Sequence, residues 1–149
     1  MWTVRTLQLM AFILAALAPF SPAQACSGER FDSTINRVET FEAVVRARVI
    51  QAKVRSVSDF GVACRFLSPP ERCDLLELHL EMLEVFSGDA ENYTTIYAPV
   101  LPVCREPVLV GLEYVFFLET YEGLIAPNAN SFQVYGQEAA EKLNALRER

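Results

Sequence analysis

The chain has 149 residues, 52% of them hydrophobic, with 19 acidic against 13 basic residues and a formal net charge of -6. This length and apolar content suit a single domain with its own core, and the acidic balance argues against nucleic acid or an anionic membrane as partner. With one histidine, His79, and no Cys-x-x-C pair, a zinc site made by this chain alone is not expected, and the motif for thioredoxin-like redox chemistry is missing.

Residues 1–25 read as a secretion signal. Met1 to Gln8 carries one charge, Arg5; Leu9 to Leu17 is apolar; Pro19 to Pro22 breaks the run; and Ala23-Gln24-Ala25 supplies small residues before a cleavage point. The apolar run is shorter than the ~20 residues needed to span a bilayer, and no later segment is both long and uncharged enough to do so. The expected product is residues 26–149, which is 149 - 25 = 124 residues, a soluble domain that is secreted or periplasmic. Because the signal holds only Arg5, the product carries -6 - 1 = -7. A lipoprotein signal is the competing reading, since it also places a cysteine first and would acylate Cys26, although Gln24 fits it poorly. All four cysteines, Cys26, Cys64, Cys73 and Cys104, fall in the exported part. Two disulfides are expected there, and spacing leaves three connectivities open.

Ile35, Val38 and Phe41 recur every three residues behind the caps Asp32 and Ser33, which predicts a short helix over Ser33 to Glu42. From Ala43 to Arg55 the pattern alternates: Val45, Ala47 and Val49 point one way, Arg46 and Arg48 the other. The apolar positions then become Ile50, Ala52 and Val54, so the parity flips near Val49-Ile50 and demands a bulge or sharp bend. A long, bent first strand serving both sides of a small barrel is what an OB-type barrel needs. Ser56 to Arg72, rich in Ser, Pro and Gly, reads as a loop holding Cys64, with Cys73 just beyond it. In Leu75 to Phe86 the residues favour helix, yet Leu76, Leu78, Leu80 and Met82 alternate with Glu77, His79 and Glu81, which predicts a strand. Ser87-Gly88-Asp89 turns the chain into a strand over Tyr93 to Val100, and Pro99, Pro102 and Pro107 bracket a stiff loop around Cys104. Val108 to Leu118 predicts a buried strand bent at Gly111, Gly123 to Ala126 and Phe132 to Tyr135 complete the strands, and Ala139, Leu143 and Leu146 form one stripe of a C-terminal helix.

Several strings in this order resemble the netrin-like domain, and within it the N-terminal domain of the tissue inhibitors of metalloproteinases. The product begins Cys26-Ser27; Val44-Val45-Arg46-Ala47-Arg48 is similar to that family's Val-Ile-Arg-Ala-Lys signature; Val85-Phe86-Ser87-Gly88 looks like its Tyr-Lys-Gly turn; and Ile96-Tyr97-Ala98-Pro99 leads to Cys104 as a similar run does there. The resemblance implies a mainly β fold, a five-stranded OB-like barrel with a short N-terminal helix and a C-terminal helix. It also implies the pairings Cys26-Cys104 and Cys64-Cys73. The chain departs from the family where Gly28 and Asn130 stand at the positions of a further bridge, and one domain is expected here rather than the family's two.

In that family the main-chain amine and carbonyl of the first cysteine chelate the catalytic zinc of a target protease. Carried over, this makes Cys26 the metal-directed residue, towards a partner's zinc rather than one of its own. Ser27 and Gly28 would follow it into the partner, and Leu101, Pro102, Val103 and Cys104 would complete the contact. The implied activity is inhibition of a zinc metalloprotease; the alternative is a secreted, non-inhibitory protein-binding or adhesion module. Either way the partner is a secreted or cell-surface protein, and no cofactor is called for. Catalysis has little support, because Glu77, Glu81 and Glu84 read as a solvated strand edge with no nucleophile or base beside them, and His79 as an exposed residue on the same face. Asn92-Tyr93-Thr94 matches a glycosylation sequon that matters in a eukaryotic host, and burial in the barrel is expected for Tyr114, Phe116 and Phe117.

Overall fold

The computed structural model describes residues 31–60, 74–100 and 107–149, and the structural statements below concern these residues. They form a mainly β fold, an antiparallel sheet with two short helices. In chain order come α1 (Phe31–Ile35), a 3-10 turn (Val38–Thr40), β1 (Ala43–Ser56), a second 3-10 turn (Val57–Phe60), β2 (Asp74–Gly88) and a third 3-10 turn (Ala90–Asn92). Then follow β3 (Thr95–Pro99), β4 (Glu113–Tyr121), β5 (Leu124–Pro127), β6 (Phe132–Gln133) and α2 (Gly136–Arg147). The strands lie in the order β3-β2-β1-β4-β5, and β6 pairs with β4. β3 and β5, at the two ends of that path, approach within 8 Å between Cα atoms, but no ladder joins them among the described residues.

The parity flip read from the sequence is a β-bulge. Val49 pairs with Leu80 and Gln51 with His79, which leaves Ile50 as the extra residue. The bulge returns Gln51, Lys53 and Arg55 to the side of the sheet already held by Arg46 and Arg48, and it turns Ala52 inward to the core of Val45, Ala47 and Val49. Ile50 itself is left 56% exposed. The β2 register shifts twice more, at Leu83 and Phe86.

The sheet carries a core on each face. Val45, Ala47, Val49, Leu78, Ile96 and Phe116 lie in one; Val44, Val115 and Phe117 meet Val38, Leu143 and Leu146 in the other. The central strands are therefore buried on both sides, so Ala43–Val45 and Tyr114–Leu118 are continuous buried runs without alternation. Phe117 takes the Phe31 ring edge-on at 6.3 Å and the Phe41 ring at 5.2 Å. Tyr114, Phe116 and Phe117 are buried as expected, and so is the Ala139, Leu143 and Leu146 stripe of α2. Gly88 ends β2 at φ +81, where a Cβ would lie 2.2 Å from the Glu42 carbonyl oxygen and 2.7 Å from the Ala43 Cα.

Two expectations are corrected. The helix over Ser33 to Glu42 is instead α1 and a separate 3-10 turn, joined where the Arg37 N–H donates to the Thr34 carbonyl at 3.0 Å. A three-residue repeat is also the 3-10 period, so Ile35, Val38 and Phe41 reach the same core without a continuous helix. The strand over Val108 to Leu118 begins only at Glu113. Gly111 sits at φ +89 in a turn, its N–H donating to the Val49 carbonyl at 2.7 Å while the Val49 N–H donates to that of Leu112 at 3.0 Å. Leu109 and Val110, apolar by composition, project from that turn at 52% and 54% exposure. The remaining strands differ from expectation by one or two residues at their ends: β2 runs on to Gly88, β3 begins only at Thr95, and the last strand stops at Gln133 rather than Tyr135.

Candidate functional site

The residues expected to make the partner contact, Cys26, Ser27, Gly28, Leu101, Pro102, Val103 and Cys104, lie outside the described residues, as do Cys64 and Cys73. The described flanks are nonetheless well anchored. Phe31 is packed edge-on against Phe117 and, at 5.7 Å, against Phe132, with the Lys142 ammonium 5.4 Å from both the Phe31 and Phe132 ring centres. An ammonium at that distance from two ring faces is a favourable cation–π contact, so α1 is fastened to α2 and β6 by more than area alone. After β3, the Val100 N–H donates to the Asp74 carbonyl at 3.4 Å. On the far side, the Leu109 N–H donates to the Tyr114 hydroxyl at 3.0 Å, which gives that buried phenol a partner.

Asn130, at the position of the family's further bridge, is held by polar contacts. Its backbone N–H and its Nδ2 both donate to Asn128 Oδ1, at 3.0 and 3.2 Å, and Asn128 Nδ2 donates to Glu119 at 2.9 Å. The sequon residue Asn92 is exposed and donates to Asp89 Oδ2 at 2.9 Å.

The polar side of the sheet carries a ladder of alternating charge. Arg46 donates to Glu113 at 2.5 Å and lies 3.8 Å from Glu84; Arg48 reaches Glu81 at 2.8 Å and Glu113 at 2.9 Å; Arg147 of α2 grips Glu84 at 2.8 and 2.7 Å. Hydrogen bonds from Arg46, and then Arg48, hold the Glu113 carboxyl below the usual range, and Arg147 does the same for Glu84. Glu81 and Glu84 thus serve as cross-strand and helix anchors, which the solvated-edge reading missed. Beyond the bulge the ladder continues as Arg55 near Glu77 at 3.6 Å, and Glu77 next to His79 at 3.2 Å. His79, expected to be simply exposed, is half-buried between Glu77 and Thr95, the latter at 3.4 Å. Sequence alone signalled the alternation but not the partners, because those depend on a register set by the bulges.

Among the described residues no three His, Cys, Asp or Glu side chains are placed to hold a metal ion, and no helix is long and apolar enough to cross a membrane. Compared with known proteins, the chain matches no family model and no curated protein.

Proposed function

We propose that this is a secreted, netrin-like protein with an OB-like barrel that acts by protein contact rather than catalysis, and that its mature N-terminus inhibits a zinc metalloprotease. The observation that carries the reading is the strand order β3-β2-β1-β4-β5, with β1 bulged at Ile50 and β3 brought beside β5. This is the connectivity a five-stranded barrel of that kind requires. Gly88 gives the resemblance physical support, since the turn string ending in it and the strand string after Ala43 meet at a backbone approach that leaves no room for a side chain.

The proposed chemistry needs no side-chain ligand. A catalytic zinc keeps one position for water, and an amine nitrogen at about 2.0 to 2.1 Å can take it. The α-amine of Cys26, with an ordinary pKa near 7.7 to 8.0, is partly neutral at physiological pH, as a ligand must be. A Cys26 to Cys104 disulfide would hold amine and carbonyl in place and reduce the ordering cost of binding.

The test is an inhibition assay on a metalloprotease panel, with protein starting at Cys26 and with a form carrying one extra alanine before it. Inhibition by the first form and its loss in the second is expected. Equal inhibition, or none by either, contradicts the reading, and intact mass of the exported protein checks cleavage, acylation and disulfides. A second reading, a binding module that uses a side face, draws on Leu109 and Val110, which project from the turn docked on Val49, next to exposed Ile50. Binding to a partner that the extra alanine leaves intact and Leu109→Ser abolishes would favour it.

A further inference from the structure

We propose that His79 is a proton-sensitive element that couples the β2–β3 ladder to the Val57–Phe60 turn through Glu77 and Arg55. The contacts form one chain across three strands. Thr95 on β3 meets His79 Nδ1 at 3.4 Å; His79 Nε2 meets Glu77 Oε1 at 3.2 Å; Glu77 Oε2 lies 3.6 Å from Arg55 Nη1. Arg55 in turn lies 5.6 Å from the centre of the Phe60 ring and 3.6 Å from Asp59, and Phe60 packs edge-on against Tyr97 at 5.0 Å.

The Glu77 side chain is only 12% exposed, so Arg55, and His79 once it is protonated, share a carboxylate with little water to screen them. With His79 neutral and its hydrogen on Nε2, Thr95 donates to Nδ1 and His79 donates to Glu77. Protonation converts both ring nitrogens to donors. The Thr95 hydroxyl must then rotate to accept, and the contact with Glu77 becomes charge-assisted and stronger. The new charge also repels Arg55 and Lys53, the latter paired with Glu77 across the ladder. Arg55 therefore shifts its hold from Glu77 towards Asp59 and Phe60.

The groups on this face are Lys53 and Arg55 from β1, Glu77 and Glu81 from β2, Thr95 and Tyr97 from β3, and Asp59 from the turn. Glu81 is engaged by Arg48 at 2.8 Å. Histidine is the side chain whose charge ordinarily changes between about pH 5 and 8, and His79 is the chain's only one.

The experiment is an NMR titration of the exported chain from pH 8 to 5, following the His79 ring, the Asp59 and Phe60 amides and the Phe60 and Tyr97 ring protons. The expected result is that the turn and ring signals move with the same midpoint as His79. That movement disappears in His79→Gln and shrinks in Glu77→Gln and in Arg55→Gln, the last keeping the test open if Glu77→Gln fails to fold. Turn signals that stay flat through the His79 titration, or that follow it unchanged in Arg55→Gln, overturn the coupling.

Discussion

From Ala43 to Arg48, β1 lies between β2 and β4 and is buried on both faces except at Arg46 and Arg48, whereas from Gln51 to Ser56 it pairs only with β2 among the described residues and is half-buried or exposed. Both halves alternate in sequence, so alternation does not separate them; what differs is what lies against each. The first half is fixed by packing on two cores. The second is arranged by charge, with Lys53 and Arg55 set opposite Glu77 and Leu75 by a single bulged residue. A strand divided in this way can anchor a fold at one end and remain responsive at the other.

The sharpest way to break the comparison is to remove packing from the buried half. Phe117→Ala empties a fully buried ring site that pairs with Val44 and touches Phe31 and Phe41, and a loss of about 3 to 5 kcal/mol is expected in urea unfolding. Gly88→Ala comes next. It sets a Cβ against the Glu42 carbonyl and Ala43 in a left-handed conformation, and about 3 kcal/mol or loss of the fold is expected by the same measurement.

Glu113→Gln acts on the ladder rather than the core, and about 1 kcal/mol is expected at neutral pH because the site is partly solvated. The pH dependence has a definite sign. The folded pKa of Glu113 lies below its unfolded value, so its stabilisation is present above about pH 4.3 and is lost as pH falls through the lower folded value. The gap between wild type and variant should therefore narrow on acidification in paired urea titrations at pH 7 and pH 3; a gap that widens would refute the pairing. The smallest effect belongs to the second half of β1, where Val54→Ala, at a position 63% exposed, should change stability by no more than about 0.5 kcal/mol.

Much of this division was legible in the sequence. The parity flip at Val49-Ile50 located the bulge because two incompatible alternations met there, and period outweighed helix propensity correctly in β2. Boundaries failed where apolar residues run on past the strand, since Val108 to Leu118 is nearly all apolar and its composition does not mark Leu109 and Val110 as exposed. The break after Ile35 was hidden because a three-residue spacing suits two kinds of helix. The ladder partners of Arg46, Arg48 and Arg55 were hidden because cross-strand pairing needs a register. Of the expected contact residues, Cys26 to Gly28 and Leu101 to Cys104, none falls within the described parts of the chain, so the proposed site still rests on the residues themselves.

The most direct test of the proposed function reads the metal. In a cobalt-substituted metalloprotease that the mature protein inhibits, adding protein that starts at Cys26 should alter the cobalt absorption spectrum as an amine nitrogen replaces water, and the alanine-extended form should leave it unchanged. Inhibition with an unchanged spectrum would contradict chelation and place the contact elsewhere on the domain.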